Sequence, residues 1–157
     1  MHPGGLNSTL STHTFNFDST TLSFSSKIVS MKKALPENHQ VVMPYLIVNN
    51  AAGFIDFMKE VFDGVELNRH MRNETIIMHA EVMIGNSTLM LADTTSEFTD
   101  RTAGMFIYVD DADATYGKAL AKGATSIMPP ADQPYGRSCG VKDAFGNTWW
   151  ITSLQGQ

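Results

Sequence analysis

The sequence predicts an α+β fold in which two tandem βαβββ modules form one cupped mixed sheet. The first observation is an internal repeat. Val48-Asn49-Asn50-Ala51 and Val109-Asp110-Asp111-Ala112 lie 61 residues apart, and each ends an apolar run and begins a helical pattern. The second is that Gly85-Asn86 and Gly146-Asn147 follow these blocks at the same 61-residue offset. Because self-similarity at a fixed offset indicates two copies of one supersecondary unit, we expect both copies to bury equivalent faces.

The first module, about residues 40–93, begins with a strand and a helix. The run from Val41 to Val48 is apolar and β-branched, which favours a strand. Asn49 and Asn50 are typical N-cap residues. Apolar side chains then recur at the helical spacing i, i+3, i+4, i+7, at Phe54, Phe57, Met58 and Val61. The remaining elements are predicted as strands at 65–72, 75–84 and 87–92.

The second module, about residues 103–155, repeats this order after a polar linker from Thr94 to Thr102. Pro129-Pro130 and Gln133-Pro134 predict a loop that interrupts this copy. The predicted elements are a strand at 105–109, a helix at 113–122 and strands at 125–128, 138–141 and 147–154. The single folded domain is therefore expected at 39–155.

Residues 1–38 are predicted to be a disordered leader. The first 30 residues are rich in Ser and Thr and hold one acidic residue, Asp18, one lysine, Lys27, and no arginine. The segment thus lacks the arginines of a transit peptide and the apolar stretch of a secretory signal. We assign no function to it.

The composition excludes two classes of partner. The 157-residue chain is 43% hydrophobic and 17% charged, and its formal net charge is −5. Nucleic acids and anionic membranes both require a basic patch, so we expect neither as a partner. The single cysteine, Cys139, cannot form an internal disulfide, which favours the cytoplasm. We expect the partner to be a small-molecule ligand.

Strand alternation sorts the side chains of residues 75–84 into two faces. One apolar face is expected to pack on the helices and consists of Ile76, Met78, Ala80, Val82 and Ile84. His79 and Glu81 then share the opposite face, which we expect to line a cleft. Trp149 and Trp150 are adjacent, so one must point to the core and the other to the cleft.

Several motifs resemble the vicinal oxygen chelate superfamily of glyoxalase I, bleomycin-resistance proteins, extradiol dioxygenases and fosfomycin-resistance enzymes. Paired βαβββ units ending in an Asp-x-x-Gly turn, here Asp143-Ala144-Phe145-Gly146, carry this resemblance from about Val42 to Leu154. The PhnB-like branch is indicated by Met43-Pro44-Tyr45-Leu46, Met78-His79-Ala80-Glu81, Leu89-Met90-Leu91-Ala92-Asp93, Asp132-Gln133-Pro134-Tyr135-Gly136-Arg137 and Phe145-Gly146-Asn147-Thr148-Trp149. The resemblance implies a fold of the glyoxalase/bleomycin-resistance type, and relatives of this size imply a homodimer.

In metal-using members of this superfamily, four side chains from the first and last strands of both modules meet at a metal ion. Aligning the two copies places these positions at Met43, Leu89, Gly104 and Trp150. Zn²⁺, Ni²⁺, Fe²⁺ and Mn²⁺ are held by imidazole and carboxylate groups, which none of the four provides. The resemblance therefore implies a protein without this metal centre, and we expect no cofactor.

The cup that remains has a mostly apolar and aromatic lining, which is typical of sites for flat organic ligands. Its expected lining is Met43, Tyr45, His79, Glu81, Leu89, Phe106, Tyr108 and Trp150. Glu81 and the aromatic faces favour a cation. Antibiotic-binding members of the superfamily also lack the metal. The first hypothesis is therefore a metal-free protein that sequesters an aromatic or cationic compound.

Two enzymatic hypotheses stay open. One is a metal-dependent lyase, dioxygenase or transferase acting on a vicinal-oxygen substrate, with its metal recruited by His79, Glu81 and ligands not yet placed. The other is metal-free acid–base chemistry by His79, the one candidate catalytic residue, if Glu81 orients its ring. Side chains at i and i+2 of a strand stand ~7 Å apart, so the pair could also merely share a face.

Two residues near the last loop complete the predicted ligand-binding set, Tyr135 and Arg137. The Arg137 guanidinium could clamp a ligand carboxylate or phosphate. It could equally pair with Asp132 or Asp143 and pin the loop, and we favour this structural interpretation.

Overall fold

The computed structural model describes residues 14–17, 20–23 and 34–154, in two compact units, Met1–Ala34 and Leu35–Gln157. In the first unit, β1 (Thr14–Phe17) pairs with β2 (Thr20–Ser23) in an antiparallel hairpin. These strands fall within the segment for which we predict disorder. The rest of that prediction up to residue 33 lies outside the described residues.

The second unit contains two βαβββ modules, as the sequence predicts. The first module consists of β3 (Tyr45–Val48), α1 (Ala51–Phe62), β4 (Val65–Met71), β5 (Ile77–Ile84) and β6 (Ser87–Asp93). The second consists of β7 (Gly104–Tyr108), α2 (Ala112–Ala121), β8 (Thr125–Gln133), β9 (Gly136–Lys142) and β10 (Thr148–Ser153). The α+β fold class is confirmed.

The predicted loop is present as the turn at Pro134 and Tyr135. Its first part, at Pro129-Pro130, is wrong, because β8 runs through both prolines. The strand lies at the edge of its sheet and shifts register between Ser126 and Met128 and again before Ala131. Proline lacks the N–H that a sheet ladder uses, so it is tolerated at an edge strand and at bulges.

The two modules form two four-stranded sheets instead of the single sheet that we predict. The strand orders are β3-β6-β5-β4 and β7-β10-β9-β8, with a parallel pair at the start of each. The outer edge of β3 is taken by the linker, since the Ile47 and Arg101 backbones exchange hydrogen bonds of 3.1 and 2.8 Å. That edge is therefore closed to β7.

The helix-facing sides of both sheets share one hydrophobic core. Phe62 on α1 contacts Trp149 on β10 with ring centroids 4.4 Å apart, and Phe54 lies 5.4 Å from Phe145 of the second module. Helix α1 is therefore covered by both modules, and burial of such large aromatic side chains is a main source of stability. Within residues 34–154, no further element covers the opposite, outer faces of the two sheets.

Two buried carboxylates fix the ends of the elements. Asp93 accepts hydrogen bonds of 2.7 Å from the backbone of Ala51, in the first turn of α1, and of Ile77, which begins β5. Asp143, the first residue of the Asp-x-x-Gly turn, accepts bonds from Asn147 and from the indole of Trp149. A buried carboxylate is stable only when hydrogen-bonded in this way, so the turn motif has a structural role.

No helix among the described residues is long and apolar enough to cross a membrane.

Candidate functional site

The outer face of the first sheet carries a chain of hydrogen-bonded polar side chains. The Tyr45 hydroxyl lies 3.2 Å from His79 Nδ1, and His79 Nε2 lies 3.1 Å from Glu81 Oε1. The other carboxylate oxygen, Oε2, lies 3.1 Å from His39 Nε2. The predicted pair therefore does touch, and Tyr45, His79 and Glu81 are brought together as expected.

His39 is the member of this chain that sequence reasoning missed. It lies before β3 and is separated from Glu81 by 42 residues, so no local spacing connects the two. The segment that carries it is held across the end of the sheet, because the neighbouring Gln40 accepts a hydrogen bond of 3.0 Å from the Thr88 backbone. A third imidazole, His70 of β4, stacks near His79 with ring centroids 6.2 Å apart.

Glu81 is the buried anion of this group, with 8% of its side chain exposed. Burial pushes its pKa upward, but the hydrogen bonds from His39 and His79 outweigh burial and hold the pKa below its ordinary value. An ionised carboxylate only accepts hydrogen bonds, so both facing Nε2 atoms carry a proton. In the neutral imidazole, His79 Nδ1 is then the acceptor for the Tyr45 hydroxyl. Burial raises the pKa of that hydroxyl.

The outer face of the second sheet carries three aromatic side chains. Phe106, Tyr108 and Trp150 are 52%, 62% and 37% exposed. Phe106 pairs with Trp150 across two parallel strands, and its ring lies 5.2 Å from that of Tyr108. Trp149 points the other way and is buried, so the prediction that the two tryptophans face opposite sides is confirmed.

The Trp150 indole lies over Gly140 of the neighbouring strand. A Cβ at Gly140 would stand 2.6 Å from a ring carbon of Trp150, far inside van der Waals contact. The absence of a side chain at Gly140 therefore provides the seat for the ring and leaves its other side exposed. No sequence pattern pointed to this glycine, because its partner lies on a different strand.

Leu89 does not belong to the outer face, so this part of the predicted lining is wrong. Leu89 pairs with Val82 and is buried in the core, whereas Met90 pairs with Glu81 and with Tyr45 on the outer face. A one-residue slip moves a strand side chain to the opposite face. Met90 therefore takes the place that the resemblance assigned to Leu89.

With Met90 in place of Leu89, the four positions that hold the metal in metal-using relatives still provide no ligand for a hard or borderline metal ion. Met43 precedes β3, Met90 and Trp150 are apolar, and Gly104 has no side chain. Among residues 34–154, no group of three or more His, Cys, Asp or Glu side chains is arranged to hold a metal. The nearest arrangement is the polar chain, in which both imidazole Nε2 atoms are directed at the Glu81 carboxylate.

A cleft of about 970 Å³ lies between the two modules. Phe106 and Tyr108 form its aromatic wall, and Val42 and Pro44 contribute apolar surface from the first module. The charged side chains in its lining are Asp63, Asp110, Asp111 and Lys118. The cleft is therefore more acidic than basic. Of the predicted lining, Leu89, Phe106 and Tyr108 border this cleft, and the remaining members do not.

Arg137 is held by two carboxylates. Its guanidinium donates hydrogen bonds of 2.8 Å to Asp113 and 3.1 Å to Asp132, and these contacts raise its pKa. The predicted pairing with Asp132 is confirmed, and Asp113 of α2 is an additional partner. The alternative pairing with Asp143 is wrong. Tyr135 is exposed in the turn before β9.

Comparison with known proteins places the chain among relatives of one kind. A family model described as Glyoxalase/Bleomycin resistance protein/Dioxygenase superfamily matches residues 38–151. Uncharacterized protein Mb0911c of Mycobacterium bovis is 35% identical over 118 residues, which cover 68% of this chain and 78% of that protein.

Solved structures share the fold. A PhnB protein from Bacillus cereus is 17% identical with a TM-score of 0.63, over 73% of this chain and all of that one. TnmS3, an antibiotic binding protein from Streptomyces sp. CB03234, is 18% identical with a TM-score of 0.55, over 74% of this chain and all of that one.

Proposed function

Since this chain belongs to the glyoxalase/bleomycin resistance protein/dioxygenase superfamily, we propose that it is a metal-free protein that binds and sequesters a small aromatic or cationic compound. The observation that carries the proposal is the exposed aromatic group Phe106, Tyr108 and Trp150. Exposed aromatic surface of this kind is typical of binding sites, because folding alone gives no reason to leave it in water. Trp150, seated on Gly140, offers a flat and pre-positioned ring.

The charges around the aromatic group favour a cation. Phe106 and Tyr108 border a cleft whose charged lining is mostly acidic. It holds three carboxylates, Asp63, Asp110 and Asp111, and one ammonium group, that of Lys118. Aromatic faces attract cations through the ring quadrupole, and neighbouring carboxylates add to this attraction. The structural neighbour TnmS3 is described as an antibiotic binding protein, which supports a small organic ligand in this fold.

A fluorescence titration tests the proposal. A panel of flat aromatic cations, each paired with a neutral analogue of similar shape, is titrated while tryptophan emission is recorded. We expect at least one cation to quench emission with a micromolar Kd, about −8 kcal/mol, and Trp150→Phe to abolish the quenching. Trp149 remains as a buried reporter of folding in that variant.

The controls distinguish specific binding at the aromatic group from non-specific hydrophobic binding. Phe98→Ala removes an equally exposed aromatic ring from the linker and should leave binding unchanged. Asp110→Asn should weaken the cation more than its neutral analogue. Equal binding of both analogues, or full quenching in Trp150→Phe, would contradict the proposed site.

We also propose that the protein acts as a homodimer. Residues 34–154 leave two outer faces uncovered, one with Tyr45 and the polar chain and one with the aromatic group. A two-fold dimer would place the first face of one protomer opposite the second face of its partner and close two equivalent cups. Light scattering should then give twice the 17.3 kDa of one chain, and Phe106→Glu should shift the protein toward monomers.

The absence of a metal centre is part of the proposal and needs its own test. Elemental analysis of untagged protein and titration with Ni²⁺, Zn²⁺, Mn²⁺ and Fe²⁺ should find no stoichiometric metal. One tightly held ion per chain would favour the alternative, a metal-dependent enzyme of the same superfamily. The buried single cysteine, Cys139, supports the predicted cytoplasmic location, which fractionation of the native cell would test.

A further inference from the structure

We propose that Tyr45, His79 and Glu81 form a proton-transfer relay that can act on a molecule held against the outer face of the first sheet. The inference rests on the proposed function, since a ligand must first be held in the cup. The exposure of the three side chains falls along the relay. Tyr45 is 48% exposed, His79 is half-buried and Glu81 is buried. The chain therefore leads from a hydroxyl that a ligand can reach to an anion that it cannot.

The hydrogen bonds set the direction of the relay. Glu81 fixes the proton of His79 on Nε2, so the lone pair on Nδ1 is directed at the Tyr45 hydroxyl, 3.2 Å away. A hydroxyl, an imidazole and an orienting carboxylate in this order are the arrangement by which proteins activate a weakly reactive oxygen. Tyr45 would be the catalytic residue, and His79 and Glu81 would act through it.

The chemistry needs no oxidant, reductant or co-reactant. Tyr45 Oη takes a proton from an acidic C–H or O–H of the ligand while its own proton moves to His79 Nδ1. The electron pair of the broken bond stays on the ligand and shifts within it. The imidazolium is stabilised by the Glu81 carboxylate until the proton returns to another ligand atom or leaves to water. The substrate class is a flat aromatic compound with an acidic proton beside an electron-withdrawing group.

The titratable groups that face His79 are few. Tyr45 reaches it from β3, Glu81 from its own strand and His70 from β4, while β6 presents the apolar Met90. His39 lies beyond the carboxylate and bonds to its other oxygen. Among the described residues, Tyr45 is the group bonded to Nδ1, so a pH profile of proton transfer should report chiefly on this relay.

Ring opening of 5-nitrobenzisoxazole tests the relay. Removal of its C3 proton forms a nitrile as the N–O bond breaks, and the released nitrophenolate is coloured. We expect the wild-type protein to exceed free imidazole by roughly 100-fold, within the usual range of general acid–base catalysis. Tyr45→Phe and His79→Ala should each lose about 10-fold or more. Glu81→Gln should lower the rate and change its pH profile.

His70→Ala is the matched control, because it removes a neighbouring exposed imidazole that is outside the relay. It should keep the rate within about 2-fold, as expected for a side chain without a proton-transfer role. Circular dichroism checks that every variant is folded. A ¹H–¹⁵N spectrum of the wild-type protein reads the His79 tautomer directly, and we expect the proton on Nε2.

The outcomes distinguish this inference from the proposed function. A proton on Nδ1, no turnover by the wild-type protein, or equal turnover in Tyr45→Phe and His79→Ala would overturn the relay. Quenching of Trp150 by the probe without turnover would do so while leaving the binding function in place. The absence of both signals would overturn the relay, and it would count against the binding function as well if the panel of aromatic cations also failed to quench.

Discussion

Replacement of Asp143 should unfold the turn between β9 and β10 and lower the free energy of unfolding of the protein by a large fraction. The carboxylate is buried and accepts four hydrogen bonds. They come from the backbones of Phe145 (2.9 Å) and Asn147 (2.8 Å), from the Asn147 amide (3.0 Å) and from the Trp149 indole (2.8 Å). An unpaired buried donor costs about 1–3 kcal/mol, so losing all four hydrogen bonds in Asp143→Ala should cost roughly 3–6 kcal/mol once partial relaxation is allowed. This is a large part of the ~5–15 kcal/mol available to a domain.

Asp143→Asn is the sharper variant, because it keeps the shape and replaces one accepting oxygen by a donating NH₂ group. Urea unfolding at neutral pH, followed by the emission of the buried Trp149, should give a loss of roughly 1–3 kcal/mol. Asp56→Asn makes the same change on an exposed position of α1 and should fall within about 0.5 kcal/mol of wild type. An equally small effect in Asp143→Asn would refute the structural role assigned to the turn.

Three further predictions follow from the site. Gly140→Ala should displace the Trp150 ring, weaken ligand quenching and cost about 1–3 kcal/mol by overpacking, whereas Gly117→Ala, where an added Cβ meets nothing within 4 Å, should not. The folded-state pKa of Glu81 is below its usual 4.5, so the unfolding free energy should fall as pH drops below about 4.5, and Glu81→Gln should flatten this dependence in acid titrations of stability. Burial raises the pKa of Cys139 to about 11, so iodoacetamide at pH 8 should alkylate the unfolded chain and spare the native one, as mass spectrometry would show.

The order of the elements could be predicted because local patterns specify them. Helix α1 begins after Asn50, whose side chain accepts a hydrogen bond from the Gly53 backbone, as its N-cap chemistry predicts. The loop predicted at Pro129-Pro130 failed because an edge strand tolerates prolines, and edge position depends on the whole sheet. The start of β5 also departs from simple alternation. Ile77 is buried and Met78 exposed, since the pairing with β4 shifts register beside His70.

The internal repeat predicts the wrong outward-facing side chain in β6, Leu89 instead of Met90. A constant offset of 61 residues maps Leu89 onto Trp150, but the turn between β9 and β10 is longer than the one between β5 and β6. Strand register is set by hydrogen bonds to the neighbouring strand, so a change in turn length moves side chains between faces. Met90 therefore faces outward where the sequence alone placed Leu89.

The sequence by itself determined the two modules, their order and most of their buried faces. The spacing of apolar side chains predicts which face of a helix or strand is buried. Only the tertiary structure decided what each buried face packs against. It joined the helices of both modules in one core, closed the edge of β3 with the linker and placed the polar chain and the aromatic group on two separate sheets. It also brought His39 to Glu81 across 42 residues. Hydrophobic burial is non-directional, so a sequence pattern that specifies burial leaves the partner open.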